Sequence, residues 1–282
     1  MKELDFINVI VKQTQSEYIG DDCAYLKDLN IVITQDNFVE DIHFKRAWSS
    51  PYQIGYKAAA VNISDILASG AKPAYLSVGL SASDLDEDFI KEFYKGVKAA
   101  SYGAKVIGGD ITGGDKIFVS ITAIGETLGR NISSRKFAKP NYVVVASSEH
   151  GDSARGFNQL VSGGSDERLI KAHLEPVLDV EFSSRLASGL KDEYAMMDTS
   201  DGLADALFKI AESSNVSISV KDVKGIFGFE DYKLVAAIPA EALSLLDNYL
   251  YLGKVSSFNG TRLEIDDMAY NSYDELNLYN HF

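Results

Sequence analysis

Five short stretches set aspartates where the chain passes from one apolar run to the next. IGDDCAYL holds Asp21 and Asp22, ITQD ends on Asp36, NISD on Asp65 and IGGD on Asp110, and MMDTSD holds Asp198 and Asp201. One such aspartate is ordinary turn chemistry. Five stretches with the same habit ask for a common cause. A cluster of hard oxygen ligands suits Mg2+, a cation usually held beside substrate phosphates. Zinc prefers sulfur and nitrogen, and this chain has one cysteine and four scattered histidines.

The spacing around these residues predicts how they are positioned. SSPYQIGYKAAAVNISDILASGAKP reads as a helix, with Ser50 as a cap, Pro51 in the first turn, and Gly70 and Pro73 beyond its end. Ile54, Ala58 and Val61 mark its apolar stripe. Asp65 falls in that stripe four residues after Val61, with Asn62 at the edge. A carboxylate facing a core must be paired or metal-bound. Alone, Asp65 fits a capped or salt-bridged aspartate as well as a ligand. Asp36, Asp110 and Asp198 each read as the end of a strand (NIVIT, AKVI, YAMM), which would bring them to one sheet edge. In TSDGLADALFKI, Ser200 reads as the helix cap with Asp201 in the first turn, an anion-binding end. GGDITGG lets backbone approach a ligand closely. It is not a Walker A loop, and no GxGxxG fingerprint occurs, so ATP would be bound another way.

The chain has 282 residues, is 46% hydrophobic and carries 15 Tyr and 14 Phe, enough for one large domain or two ordinary ones. A formal charge of -14 argues against nucleic acid as a partner. No apolar run is long enough for a membrane span, and the N-terminus lacks a secretion-signal core. The lone Cys23 reads as a small buried hydrophobe in a cytoplasmic protein. Strands and helices mix without a βαβ rhythm, which favours α+β. The polar stretch GRNISSRKFAKPN places a boundary at about 130–140, giving units of 1–135 and 136–282. AKVIGGD reads as a short buried strand. YLGKVSSFNGTRLEIDD reads as a strand pair joined at Asn259-Gly260.

Taken in order, IGDDCAYL, ITQDNFVEDIHF, YKAAAVNISDILASGAKP, VIGGDITGG, GRNISSRKFAKP, HGDSARG, DTSDGLADAL and FEDYKLVAAIP resemble the thiamine-monophosphate kinase family, in the superfamily of aminoimidazole ribonucleotide synthetase. The resemblance runs from the first residues to roughly Pro239. It implies a two-domain fold: an N-terminal mixed sheet with helices on one face, which dimerises and binds ATP and Mg2+, and a C-terminal α+β domain completing the site. It implies transfer of the γ-phosphoryl of ATP to thiamine monophosphate, in a homodimer. By motif, Mg2+ ligands fall on Asp22, Thr34, Gln35, Asp36, Asp65, Asp110, Asp198 and Asp201. Nucleotide contacts fall on Gly109, Asp110, Arg135 and Ser200, and substrate contacts on His43 and Glu230. Near the C-terminus, Tyr273 or Tyr279 is a candidate for stacking on thiamine.

Three features depart from the family pattern. Thr34-Gln35-Asp36 replaces Ser/Thr-Thr-Asp. FGFEDY has Phe229 where a glycine is usual. GGDITGG lacks a following arginine. The implied chemistry needs no covalent nucleophile and no general base, because a substrate phosphate is already ionised near neutral pH. Direct in-line transfer assisted by several Mg2+ ions is the expected mechanism. Another ATP-dependent phosphoryl transfer of the same superfamily, or a nucleotide-binding dimer without activity, is the alternative.

Overall fold

The computed structural model describes residues 3–276 and 278. α1 (Glu3–Thr14) and the loop carrying Asp21 and Asp22 lead into β1 (Ala24–Leu26) and β2 (Ile31–Val39). Then follow α2 (Pro51–Ala68), β3 (Lys72–Ser81), α3 (Glu87–Ala99), β4 (Lys105–Thr112) and β5 (Phe118–Glu126). Next come β6 (Val143–Ala146), α4 (Asp152–Ser162), α5 (Glu167–Leu174), α6 (Val180–Gly189), β7 (Ala195–Asp198) and α7 (Leu203–Ser213). The remaining strands are β8 (Val216–Val220), β9 (Leu234–Ile238), β10 (Leu250–Ser257), β11 (Leu263–Ile265) and β12 (Met268–Tyr270). Two mixed sheets with helices make an α+β fold, as expected. No helix among the described residues is long and apolar enough to cross a membrane.

The first sheet has the order β1-β2-β5-β3-β4, and only the β3/β4 pair is parallel. Along β5, Val119, Ile121 and Ala123 are fully buried and alternate with half-buried Ser120, Thr122 and Ile124. The period of two turns one face toward α2 and leaves the other more open. β4 is exposed along its whole length, against the expectation of a buried strand. It lies at the sheet edge, bonded only to β3 among the described residues, so its apolar residues have no covering layer.

α2 starts with the expected cap. The Gln53 N–H donates to Ser50 Oγ, and the Ser50 N–H donates to the Gln53 side chain at 3.0 Å. This helix is buried on nearly every side, because the first sheet covers one flank and β7 and α6 cover the other. A single apolar cluster joins Val32, Ile121 and Leu76 of the first sheet, Ile54, Ile63 and Ile66 of α2, and Met196, Ala236 and Leu186 of the second half. A helix in that position can present side chains to both sheets at once.

The second sheet has the order β12-β11-β8-β10-β6-β9-β7. Strands β6, β7 and β9 are buried throughout, with α2 and α6 on one face and α7 on the other. Two local expectations fail here. β10 and β11 are not paired with each other, since β8 lies between them, antiparallel to β10 and parallel to β11. The hairpin partner of β11 is β12, through Asp266 and Asp267, both at positive φ, a two-residue turn that suits aspartate. Ser200 is not the cap of α7. Gly202, at φ +109°, makes the turn into the helix, Asp201 lies before it, and Asp205 is the first-turn acid.

Candidate active site

One turn of α2 organises the aspartates. Asn62 donates to the Ala58 carbonyl at 3.0 Å and accepts the backbone N–H of Asp36 at 3.1 Å, which ties the helix to β2. Ser64 donates to Asp198 Oδ2 at 2.7 Å, at the end of β7. Asp65 accepts the Thr34 hydroxyl on Oδ2 at 2.6 Å. The helix between two sheets thus aims three polar side chains, within four residues, at both of them. Asn62 and Ser64 carry no role in the sequence reading. Their signal was a polar run, NISD, inside an otherwise apolar helix.

The neighbouring acids of the IGDD stretch divide their work. Asp21 accepts the Ser134 hydroxyl at 2.6 Å and the Arg135 N–H at 2.8 Å, pinning the loop between the two sheets. Asp22 accepts Arg135 Nη2 at 2.6 Å and joins Asp65 and Asp198 in a group whose carboxylate oxygens lie within 4.8 Å of one another. Burial raises the pKa of Asp22, and Arg135 opposes it. Burial, reinforced by Asp36, Asp198 and Asp22, holds Asp65 well above the usual carboxylate range. Burial and the nearby Asp22 push Asp198 up to about 8. Buried carboxylates this close repel each other unless protonated or bound to a cation.

The other candidate positions are distributed as follows. Thr34 and Asp36 project toward α2, but Gln35 is on the opposite face of β2. It donates to Ser120 Oγ at 3.2 Å and accepts from Thr122 Oγ1 at 3.0 Å. Strand alternation therefore keeps its side chain away from the aspartates. Asp36 and Asp110 lie within β2 and β4, not at strand ends as expected, because both strands continue past them. Asp110 is exposed, opposite Gly79, and outside the three-carboxylate group. Beside it, Gly109 (φ +151°) approaches β3 so closely that a Cβ would stand 1.8 Å from the Val78 carbonyl oxygen. Asp201 accepts Lys209 Nζ at 3.2 Å, and Lys209 also reaches Asp205 at 2.9 Å. The lysine comes from α7 and had no place in the sequence reading.

A second group lies where α2 and α5 meet the loop before β9. The Glu230 N–H donates to the Ser200 carbonyl at 2.7 Å, so two candidate residues share a backbone bond. Lys57 of α2, also absent from the sequence reading, donates to Glu230 Oε2 at 3.0 Å. Burial works against ionisation of Glu230, but Lys57 and then His173 outweigh it and hold the carboxyl below its usual range. His43 accepts the Val39 N–H on Nδ1 at 3.0 Å, which leaves Nε2 as the protonated nitrogen of the neutral ring. Phe229 is half-buried edge-on to Phe157, with centroids 5.6 Å apart. It also lines an open cavity of about 460 Å³ with Asp201, Phe227, Tyr270 and Glu275. Tyr279 lies outside the described residues.

The raised carboxylates give a pH prediction. Between about pH 4 and 8 the folded state retains a proton on Asp198 that the unfolded chain has lost, and the raised Asp65 acts in the same direction, so stability falls as pH rises. The metal-free protein is expected to melt lower at about pH 8 than at about pH 5.5, and Mg2+ to raise the melting temperature more at the higher pH. Melts in chelator and in Mg2+ at both pH values check this. An Mg2+ effect that shrinks with rising pH would contradict it.

The family described as AIR synthase related protein, N-terminal domain, matches residues 20–127. The thiamine-monophosphate kinase of Bacillus subtilis (strain 168) is 36% identical over 282 aligned residues, covering 87% of this chain and 86% of the relative. Among solved structures, AaThiL complexed with AMPPCP and TMP superposes with a TM-score of 0.88 at 28% identity, covering 100% of this chain and 97% of that one. Thiamine monophosphate kinase from Aquifex aeolicus gives a TM-score of 0.82 at 28% identity, over 96% and 99%.

Proposed function

The chain belongs to the thiamine-monophosphate kinase family, and from that premise we propose that it transfers the γ-phosphoryl of ATP to thiamine monophosphate, giving thiamine diphosphate and ADP. The observation that carries this reading is the group formed by Asp22, Asp65 and Asp198. Its donors are all hard oxygens, they are packed too closely to be ionised together, and the nearest fixed cation, Arg135, reaches only Asp22. That donor set fits Mg2+. Asp22, Asp65 and Asp198, with Thr34, Asp36, Asp110 and Asp201 as further candidates, would hold several ions. Gln35 is left out, because its side chain is engaged on the other face of the sheet. When bound, Mg2+ screens the two like-charged phosphates from each other and balances charge on the transferring group.

The protein's own groups then have positioning tasks. Arg135, Gly109, Asp110 and Ser200 form the nucleotide end. The Arg135 guanidinium, paired with Asp22 through Nη2 and lying 3.6 Å from Asp21 through Nε, supplies the positive charge at that end, which supports a role beside a triphosphate. By the family motif His43 and Glu230 form the substrate end, with Glu230 supplying a carboxylate suited to cationic thiamine. No side chain need act as nucleophile or base, so transfer is direct and in line. Residues 1–135 serve as the dimerising, ATP-binding unit and 136–282 complete the site, in a cytoplasmic enzyme.

Incubation with ATP, Mg2+ and thiamine monophosphate tests the reading: thiamine diphosphate is the expected product. ATP turnover only with another acceptor, or none at all, would refute it. Rapid-quench trapping of a phosphorylated protein would refute direct transfer.

The homodimer is expected to form through the first sheet. Val106, Ile107 and Ile111 of β4, with Tyr75 and Phe118 on neighbouring strands, leave an exposed apolar surface beside an open strand edge. Such edges are normally covered. Sedimentation at micromolar concentration should give the mass of two chains. A charged residue at Ile107 should give one, and a wild type that sediments as a monomer would count against the dimer.

A further inference from the structure

Lys57 lies about two helical turns before Asp65 on α2, and its side chain is only 2% exposed. A buried ammonium must find acceptors. One is Glu230 Oε2 at 3.0 Å, and the other is His173 Nε2 at 3.4 Å. An ammonium has no lone pair to offer, so Nε2 accepts and the ring proton sits on Nδ1. That Nδ1 lies 3.5 Å from Glu230 Oε2 and 3.1 Å from Ser153 Oγ. Burial, then the Lys57 charge, pushes His173 down to about 4, so the ring is neutral. The second oxygen, Oε1, takes the Tyr232 hydroxyl at 3.3 Å. Glu230 itself has φ +55°, a backbone conformation held by its N–H bond to Ser200. Both carboxylate oxygens are thus fixed by groups from α2, α5 and the loop before β9.

We propose that Lys57 is a positioning residue for the substrate end of the site, fixing the direction of the Glu230 carboxylate through a buried bridge closed by His173. The proposal rests on reading Glu230 as a contact of thiamine monophosphate. A buried lysine–glutamate pair contributes little stability over well-packed apolar residues of the same volume, so stability alone does not account for it. The exposures are unequal: Glu230 keeps 21% of its side chain open, while Lys57 is enclosed. The open member is available to a ligand and the enclosed member orients it. Because the pair is neutral overall, Glu230 acts as an aimed hydrogen-bond acceptor more than as a free negative charge.

The test uses the full chain as K57M, E230Q and the K57M/E230Q double variant, with thermal melts beside steady-state kinetics in both substrates. K57M and E230Q are each expected to raise KM for thiamine monophosphate by about 10-fold or more, with KM for ATP within about twofold. The double variant should match E230Q, since Lys57 acts only through Glu230. K57M that melts lower with both KM values unchanged would reduce Lys57 to a packing role and overturn the proposal. A double variant with a further rise over E230Q would also overturn it. If K57M alone fails to fold, K57R takes its place, since it keeps the positive charge but not the direction of the bond to Glu230: a rise in KM for thiamine monophosphate alone supports the proposal, and unchanged KM values overturn it. A wild-type protein that forms no thiamine diphosphate would sink the functional reading and this proposal with it. Normal wild-type turnover with an unmoved K57M would sink the proposal alone.

Discussion

Replacing Asp65 by asparagine is expected to lower kcat for thiamine diphosphate formation by at least ~10²-fold while the protein stays folded. Asp65 stands at the centre of the carboxylate group, coupled electrostatically to Asp36, Asp198 and Asp22. Asparagine has nearly the shape of the protonated acid that burial favours in the metal-free protein. Its amide oxygen can still accept the Thr34 hydroxyl, so the link between α2 and β2 persists. The melting temperature without Mg2+ should therefore hold or rise, because asparagine is neutral without the proton that Asp65 must take up on folding. What is lost is the charge that binds and aims the cation when phosphates approach. Excess Mg2+ should not restore the rate fully, since extra metal does not rebuild a fixed negative group. A near-native kcat in the variant would remove Asp65 from the catalytic cluster. A rate loss matched by an equal loss of folded protein would instead make it structural.

The parts of this site legible in the sequence were those with a local signature. Asp65 stood out because a carboxylate in an apolar helical stripe is costly. Asp198 stood out at the end of an apolar run, and Ser50 with Pro51 located the helix that carries Asp65. The α+β class followed from mixed elements without a repeating rhythm. What stayed hidden depended on contacts between distant segments. Lys57 reads as a charge inside a helical pattern, and only the meeting of α2 with residue 230 turns it into a buried partner. Lys209 likewise reads as a solvent-facing residue of α7 until Asp201 and Asp205 close on it.

Two differences between sequence and structure have physical causes. Gln35 entered the ligand set by motif, but a strand sends adjacent side chains to opposite faces, and Thr34 and Asp36 already occupy the face toward α2. Asn259-Gly260 has the composition of a hairpin turn, yet the strands around it flank β8 and do not meet each other. Turn chemistry states that the chain reverses, not which strand it returns beside. Phe229 shows a related limit. In the sequence it stands where a glycine is usual, next to Glu230, and its ring both lines an open cavity and packs edge-on to Phe157. Sequence spacing does not separate those two uses.

Arg135→Met is expected to damage both the fold and the nucleotide end of the site. The guanidinium donates to Asp22 at 2.6 Å, and the backbone N–H of the same residue is held by Asp21. Its side chain is only 16% exposed and that of Asp22 only 9%. Removing one partner of so enclosed a pair leaves an uncompensated carboxylate, a loss of about 3–5 kcal/mol. The backbone bond from residue 135 to Asp21 does not depend on the side chain, so the loop should keep its course and the variant should still fold. Adding Asp22→Asn removes the stranded charge and should recover much of the lost stability. It should not recover function. If Arg135 receives a phosphate oxygen of ATP, KM for ATP should rise by at least ~10-fold in both the single and the double variant, the loss expected for a charge-assisted hydrogen bond. KM for thiamine monophosphate should change far less. Melts run beside two-substrate kinetics separate the two roles. A single variant with lowered stability but an unchanged KM for ATP would leave Arg135 as the counter-ion of Asp22 and nothing more, and the nucleotide's cationic partner would have to be sought elsewhere in the site.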